Sequence, residues 1–179
     1  MKKIILLIIV VCASTTLFAQ KKYTAEKTFV SFFSDALVED ITAENTKSSA
    51  IFNSETGDIA FSIPMKEFKF AKSLMQQHFN EKYVESEKFP KSTFQGKIIG
   101  FKSDGTGAQQ VKAQGKLTIH GVTKDIDIPG TIEAQGNKLV MKSKFMVKVA
   151  DYDITIPQLV FQNIAEEVEV TVDFTFKPM

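Results

Sequence analysis

EVEVTVDFTF, residues 167–176, alternates without a break. Val168, Val170, Val172, Phe174 and Phe176 fall on one side of an extended chain. Glu167, Glu169, Thr171, Asp173 and Thr175 fall on the other. Successive side chains of a strand point to opposite faces, so a period of two predicts a half-buried strand. A strand of this kind needs several partners before its apolar face is covered.

Those partners are present. Val111, Ala113, Gly115, Leu117 and Ile119 alternate with Gln110, Lys112, Gln114, Lys116 and Thr118. Ile126, Ile128, Gly130 and Ile132 alternate with Asp125, Asp127, Pro129 and Thr131, and Leu139, Met141, Ser143, Phe145, Val147 and Val149 make a further face. Shorter strands are predicted at residues 29–34, 41–46, 49–53, 58–64 and 92–101. Turn chemistry separates them: Glu55-Thr56-Gly57-Asp58, Ser103-Asp104-Gly105-Thr106-Gly107 and Gln135-Gly136-Asn137. The pattern predicts an all-β fold of about eight or nine antiparallel strands. An eight-stranded barrel can hold one small ligand, whereas a sandwich packs its two inner faces together. Periodicity does not separate these two.

One stretch departs from it. Leu74, Met75, His78 and Phe79 are spaced as on one face of a helix, continued by Lys82 and Tyr83. Ser73 followed by Gln76 predicts a capping box at its start. Pro90 sets an end and favours an extended Phe89. A second helical turn is expected at Gln158-Leu159-Val160-Phe161, after Pro157.

The N-terminus reads as a secretory signal. Met1-Lys2-Lys3 is followed by apolar residues from Ile4 to Ala13 and then by Ser14-Thr15-Thr16-Leu17-Phe18-Ala19, which predicts cleavage after Ala19. The run is too short for a membrane span. Cys12, the single cysteine, lies within it, so residues 20–179 form one domain that no disulfide can staple. Losing Lys2 and Lys3 leaves 20 lysines against 21 acidic residues, with no arginine in the chain. Nucleic-acid binders show a basic excess and use arginine forks, so that class is disfavoured.

Four stretches resemble signatures of the YceI-like family: LMQQHFNE (74–81), ESEKFPKSTF (85–94), GKLTIHGVTK (115–124) and IAEEVEV (164–170). The resemblance spans essentially the whole of residues 20–179. It implies a lipocalin-like antiparallel β-barrel of about eight strands, with one short α-helix packed beside it. It also implies a periplasmic, non-enzymatic protein that holds a long apolar molecule, a polyisoprenoid or other lipid, and makes transient contact with a membrane. One departure is visible: residues 32–40, FFSDALVED, lack the tryptophan and histidines of many members.

With that resemblance, the inward stripes become a candidate cavity lining: Phe61, Ile63, Phe94, Ile98, Leu117, Ile119, Ile126, Ile128, Phe145, Val147, Val170, Val172 and Phe174. Leu74, Met75 and Phe79 are expected to flank it. His78 is expected to be either a hydrogen-bonded helix histidine or the one polar group meeting a ligand head. The absence of arginine favours a neutral or weakly polar head over a pyrophosphate. A filled barrel acting as an interaction module is the alternative.

Catalysis and metal binding find little support. The two histidines stand 42 positions apart, with no cysteine outside the signal, so no metal site or cofactor is predicted. Asp151-Tyr152-Asp153 lacks the rest of a calcium loop. Ser86 and Ser92 lie near His78 in sequence, but no nucleophile elbow is present. His120, before Gly121, is expected to shape a turn. Glu81, Glu85 and Glu87 are expected to form a solvated face.

Overall fold

The computed structural model describes residues 22–35, 39–156 and 165–179. The predicted signal and the second helical turn lie outside them. The strands are β1 (Lys22–Ser34), β2 (Ile41–Asn45), β3 (Ser49–Asn53), β4 (Asp58–Pro64) and β5 (Lys69–Phe70), then β6 (Lys91–Ile99), β7 (Ala108–Ile119), β8 (Val122–Gln135), β9 (Lys138–Lys148) and β10 (Glu167–Pro178). Eight of them close a ring in the order β1-β3-β4-β6-β7-β8-β9-β10, sealed by antiparallel pairing of β10 with β1 from Tyr23–Pro178 to Phe33–Glu169. The fold is therefore a closed barrel and not a sandwich. β2 and the two-residue β5 extend β1 as a small flap beside its second half.

Pairing puts the apolar stripes on the inside. Phe52, Phe94, Ile132, Phe174 and Phe176, each at most 2% exposed, form a closed floor. The rings interlock edge-on: Phe174 lies 6.1 Å from Phe176, and Phe176 lies 6.3 Å from Phe52. Aromatic pairs favour such tilted contacts.

Two glycines let β6 and β7 approach. Gly96 and Gly115 face each other in the ladder. A Cβ on Gly96 would fall 2.2 Å from the Gln114 carbonyl oxygen and 2.8 Å from the Phe94 ring. Gly96→Ala is expected to destabilise the barrel by about 1–3 kcal/mol or more. An unchanged denaturant midpoint would show that the strands can part freely.

The helix begins where expected but is capped differently. α1 (Ser73–His78) has Lys72 as its N-cap, with no side-chain cap. Ser73 is already helical, and Gln76 Oε1 instead accepts from the Phe70 backbone N–H at 3.4 Å. The helix widens over Phe79–Tyr83, where the Val84 N–H donates to the Phe79 carbonyl at 2.9 Å.

The wall is not uniform. β8 pairs with β9 only from Gly130–Ser143 to Gln135–Lys138, although both strands run on. Pro129 stands at the break. Its carbonyl accepts from Ser143 Oγ at 2.7 Å. The N–H and carbonyl of one strand residue point the same way, so β9 meets a position with no donor. Beyond it, a tight turn at Val149–Tyr152 packs against both strands.

Ion pairs dress the outer face, among them Lys97–Asp58 at 2.6 Å, Lys112–Asp127 at 3.1 Å and Lys138–Glu26. Hydrogen bonds from Lys97, Lys112 and Lys138 hold Asp58, Asp127 and Glu26 below their ordinary values of 3.8, 3.8 and 4.5. A carboxyl depressed in the folded state stabilises above its unfolded value and loses that contribution as pH falls through the folded one. The melting temperature is therefore expected to fall between about pH 5 and about pH 2, and less steeply in about 1 M salt, which screens exposed pairs. A flat profile by differential scanning calorimetry contradicts this.

Candidate functional site

Above the aromatic floor the barrel is hollow. A cavity of about 500 Å³ is open at the end crossed by the helix. The β10 stripe shows why. Phe174 and Phe176 fill the barrel's width, whereas Val172, Val170 and Val168 are smaller and leave space. Across the neighbouring ladders Val170 faces Phe32 on β1 and Phe145 on β9, and Val168 faces Val147.

Twelve residues singled out from the sequence line this cavity: Phe61, Ile63, Leu74, Met75, His78, Phe79, Leu117, Ile119, Phe145, Val147, Val170 and Val172. Five do not, and these positions are corrected. Phe94, Ile98 and Phe174 are buried in the floor, below the cavity. Phe61 covers Phe94 by stacking on it at 5.1 Å. Ile126 and Ile128 belong to the part of β8 that has left β9. Val149, Ile154 and Ile156 occupy the cavity wall instead.

Sequence reading missed an aromatic group at the mouth. Phe32, Phe68, Phe70 and Phe79 lie with ring centres 5.1–5.8 Å apart. They come from β1, from the segment joining β4 to the helix, and from the helix. Phe68-Lys69-Phe70 is a short alternation that carried the signal. Val30, Met65 and Val84 complete this side.

Polar groups are few and mostly engaged. Ser34 Oγ accepts from the Ala165 backbone N–H at 2.9 Å, and Ser92 Oγ donates to Met65 Sδ at 3.0 Å. Glu39 holds Lys72 at 2.5 and 2.7 Å. Lys82 Nζ lies 3.3 Å from His78 Nε2, which must accept because an ammonium only donates. Burial raises the Tyr83 phenol above its ordinary value. Ser86 Oγ donates to the Asn80 carbonyl at 3.5 Å, so among the described contacts neither Ser86 nor Ser92 bonds a histidine.

The glutamates do not all face water as a solvated set. Glu81 accepts from Gln77 and Glu87 pairs with Lys66, both exposed. Glu85 instead accepts from His120 Nε2 at 2.9 Å. His120 does shape the β7–β8 turn, with φ of 49° beside Gly121 at 78°.

The site is thus an apolar pocket in a closed antiparallel barrel, with a helix at its mouth. The model of the YceI-like domain matches residues 21–176, and the chain belongs to that family. Among solved structures it is similar to a polyisoprenoid binding domain from Saccharophagus degradans implicated in plant cell wall breakdown. The TM-score is 0.75 at 15% identity, covering 88% of this chain and 98% of that one. BcnA of Burkholderia cenocepacia superposes with a TM-score of 0.70 at 18% identity, covering 83% and 95%. The Campylobacter jejuni YCEI protein gives 0.62 at 17%, covering 77% and 85%. No curated protein sequence matches the chain.

Proposed function

We propose that the protein is a periplasmic carrier that holds a long apolar amphiphile, a polyisoprenoid or similar lipid, in its barrel, and that it acts by binding and not by catalysis. The observation that carries this reading is the 500 Å³ cavity, lined almost wholly by apolar side chains. Burial of the chain drives binding, at about 0.8 kcal/mol per methylene. The binding activity described for the Saccharophagus domain supports it. The signal-like N-terminus supports export, and lipid loading entails brief contact with a membrane.

The head group is neutral or weakly polar. Among the described residues the lining includes no lysine, and the chain has no arginine. The test is solvent extraction of protein exported to the periplasm of a bacterial host, followed by mass spectrometry. Emptied protein is then offered a polyprenol, a polyprenyl phosphate and a fatty amide. A co-purifying lipid and preference for the uncharged chains are expected. Protein that is always empty and takes up none of the three sinks the proposal.

A further inference from the structure

All three non-glycine residues with positive φ among the described residues, Glu85 (43°), His120 (49°) and Asp153 (55°), lie in one small cluster. Left-handed backbone at such residues persists where the surroundings hold it, and it concentrates at functional sites. Here the holding group is the His120 ring, whose side chain is 10% exposed. Its Nδ1 lies 3.1 Å from the Tyr152 carbonyl and its Nε2 lies 2.9 Å from Glu85 Oε2. The Phe89 ring packs against it at 4.5 Å.

Both partners can only accept. A carbonyl has no proton to give, and the carboxylate of Glu85, its side chain 44% exposed, only accepts. The two contacts can both be hydrogen bonds only when each ring nitrogen carries a proton. Other charged groups near it are few: Lys88 sits 4.8 Å over the far partner Phe89, and Asp151 and Asp153 flank Tyr152 in the turn. The β7–β8 turn itself adds none.

The cluster's place gives it a consequence. It ties together the β7–β8 turn, the residues after the helix and the tight turn at Val149–Tyr152, where β8 and β9 have parted. Each of these segments delivers an adjacent residue to the cavity: Ile119, Val84, and Val149 with Ile154. We infer that His120 is a positioning residue for the cavity, a protonated clasp that fastens the wall where its strands separate and relaxes the hold on ligand when it gives up a proton. The inference rests on the carrier reading above. The sign follows from the two acceptors: the clasp is complete when both ring nitrogens carry protons and opens when one proton is lost.

The test uses N-phenyl-1-naphthylamine, an apolar fluorophore that stays neutral between about pH 6 and about pH 9. Across that range the wild-type protein is expected to bind it roughly tenfold more weakly, the scale of one charge-assisted hydrogen bond. Glu85→Gln removes the pH dependence, because its amide donates to a singly protonated ring. His120→Gln binds weakly and evenly. In ¹⁵N-histidine-labelled protein, both His120 nitrogens carry protons at about pH 6. A ring with one protonated nitrogen there, or a Glu85→Gln profile as steep as wild type, overturns the clasp whether or not His120→Gln folds. Wild-type protein that binds no probe at any pH overturns the carrier reading instead.

Discussion

Phe174→Ala is expected to lower the free energy of unfolding by about 3–5 kcal/mol. Val172→Ala, two residues earlier on the same face of β10, is expected to lower it by less than about 1.5 kcal/mol. Chemistry alone does not make this contrast so large. Phe174 is 1% exposed, with Phe61 at 5.9 Å and Phe176 at 6.1 Å. Truncating it removes a ring from a close-packed layer and leaves a hole that neighbouring strands cannot collapse into. Val172 faces the cavity, so its methyl groups already lack partners on one side. Urea denaturation of the two variants checks the boundary between floor and cavity. Equal losses would mean that no such boundary exists. The hole left by Phe174→Ala also adjoins Phe61, so a deeper cavity and acceptance of longer chains are expected.

That boundary was partly legible in the sequence. The EVEVTVDFTF stripe changes from valine to phenylalanine between residues 172 and 174, and the change of size is the change from pocket to floor. Alternation gave the strands because the pleat imposes it locally. It could not reveal that β8 loses β9 at Pro129, since a strand alternates whatever stands beside it. Alternation alone therefore puts Ile126 and Ile128 in the lining. Proline was the one local sign of the break. Phe32, Phe68 and Phe70 meet only after the flap folds back. The contact between His120 and Glu85 joins residues 35 positions apart through two turns. Neither turn marks its partner. The capping signature at Ser73 was a genuine local pattern overridden by tertiary structure, since Gln76 serves the Phe70 backbone instead.

Val170→Trp is expected to abolish long-chain binding while leaving the barrel folded. Val170 lies between Phe32 and Phe145 on the neighbouring strands, in the hollow part of the interior. An indole there fills space that the ligand would use. Displacing about four methylenes of chain loses about 3 kcal/mol, which is more than a hundredfold in affinity. Titration with a polyprenol measures the loss, and thermal unfolding measures the cost to the fold. The two readouts together separate the carrier from a barrel whose interior is packed solid. In a packed interior the same substitution forces strands apart and destabilises by about 1–3 kcal/mol. In a hollow one the ring gains apolar contacts, so the melting temperature holds or rises. A stable variant that binds polyprenol as wild type does would place the ligand elsewhere. A destabilised variant of a protein that never bound would leave the filled barrel as the correct reading.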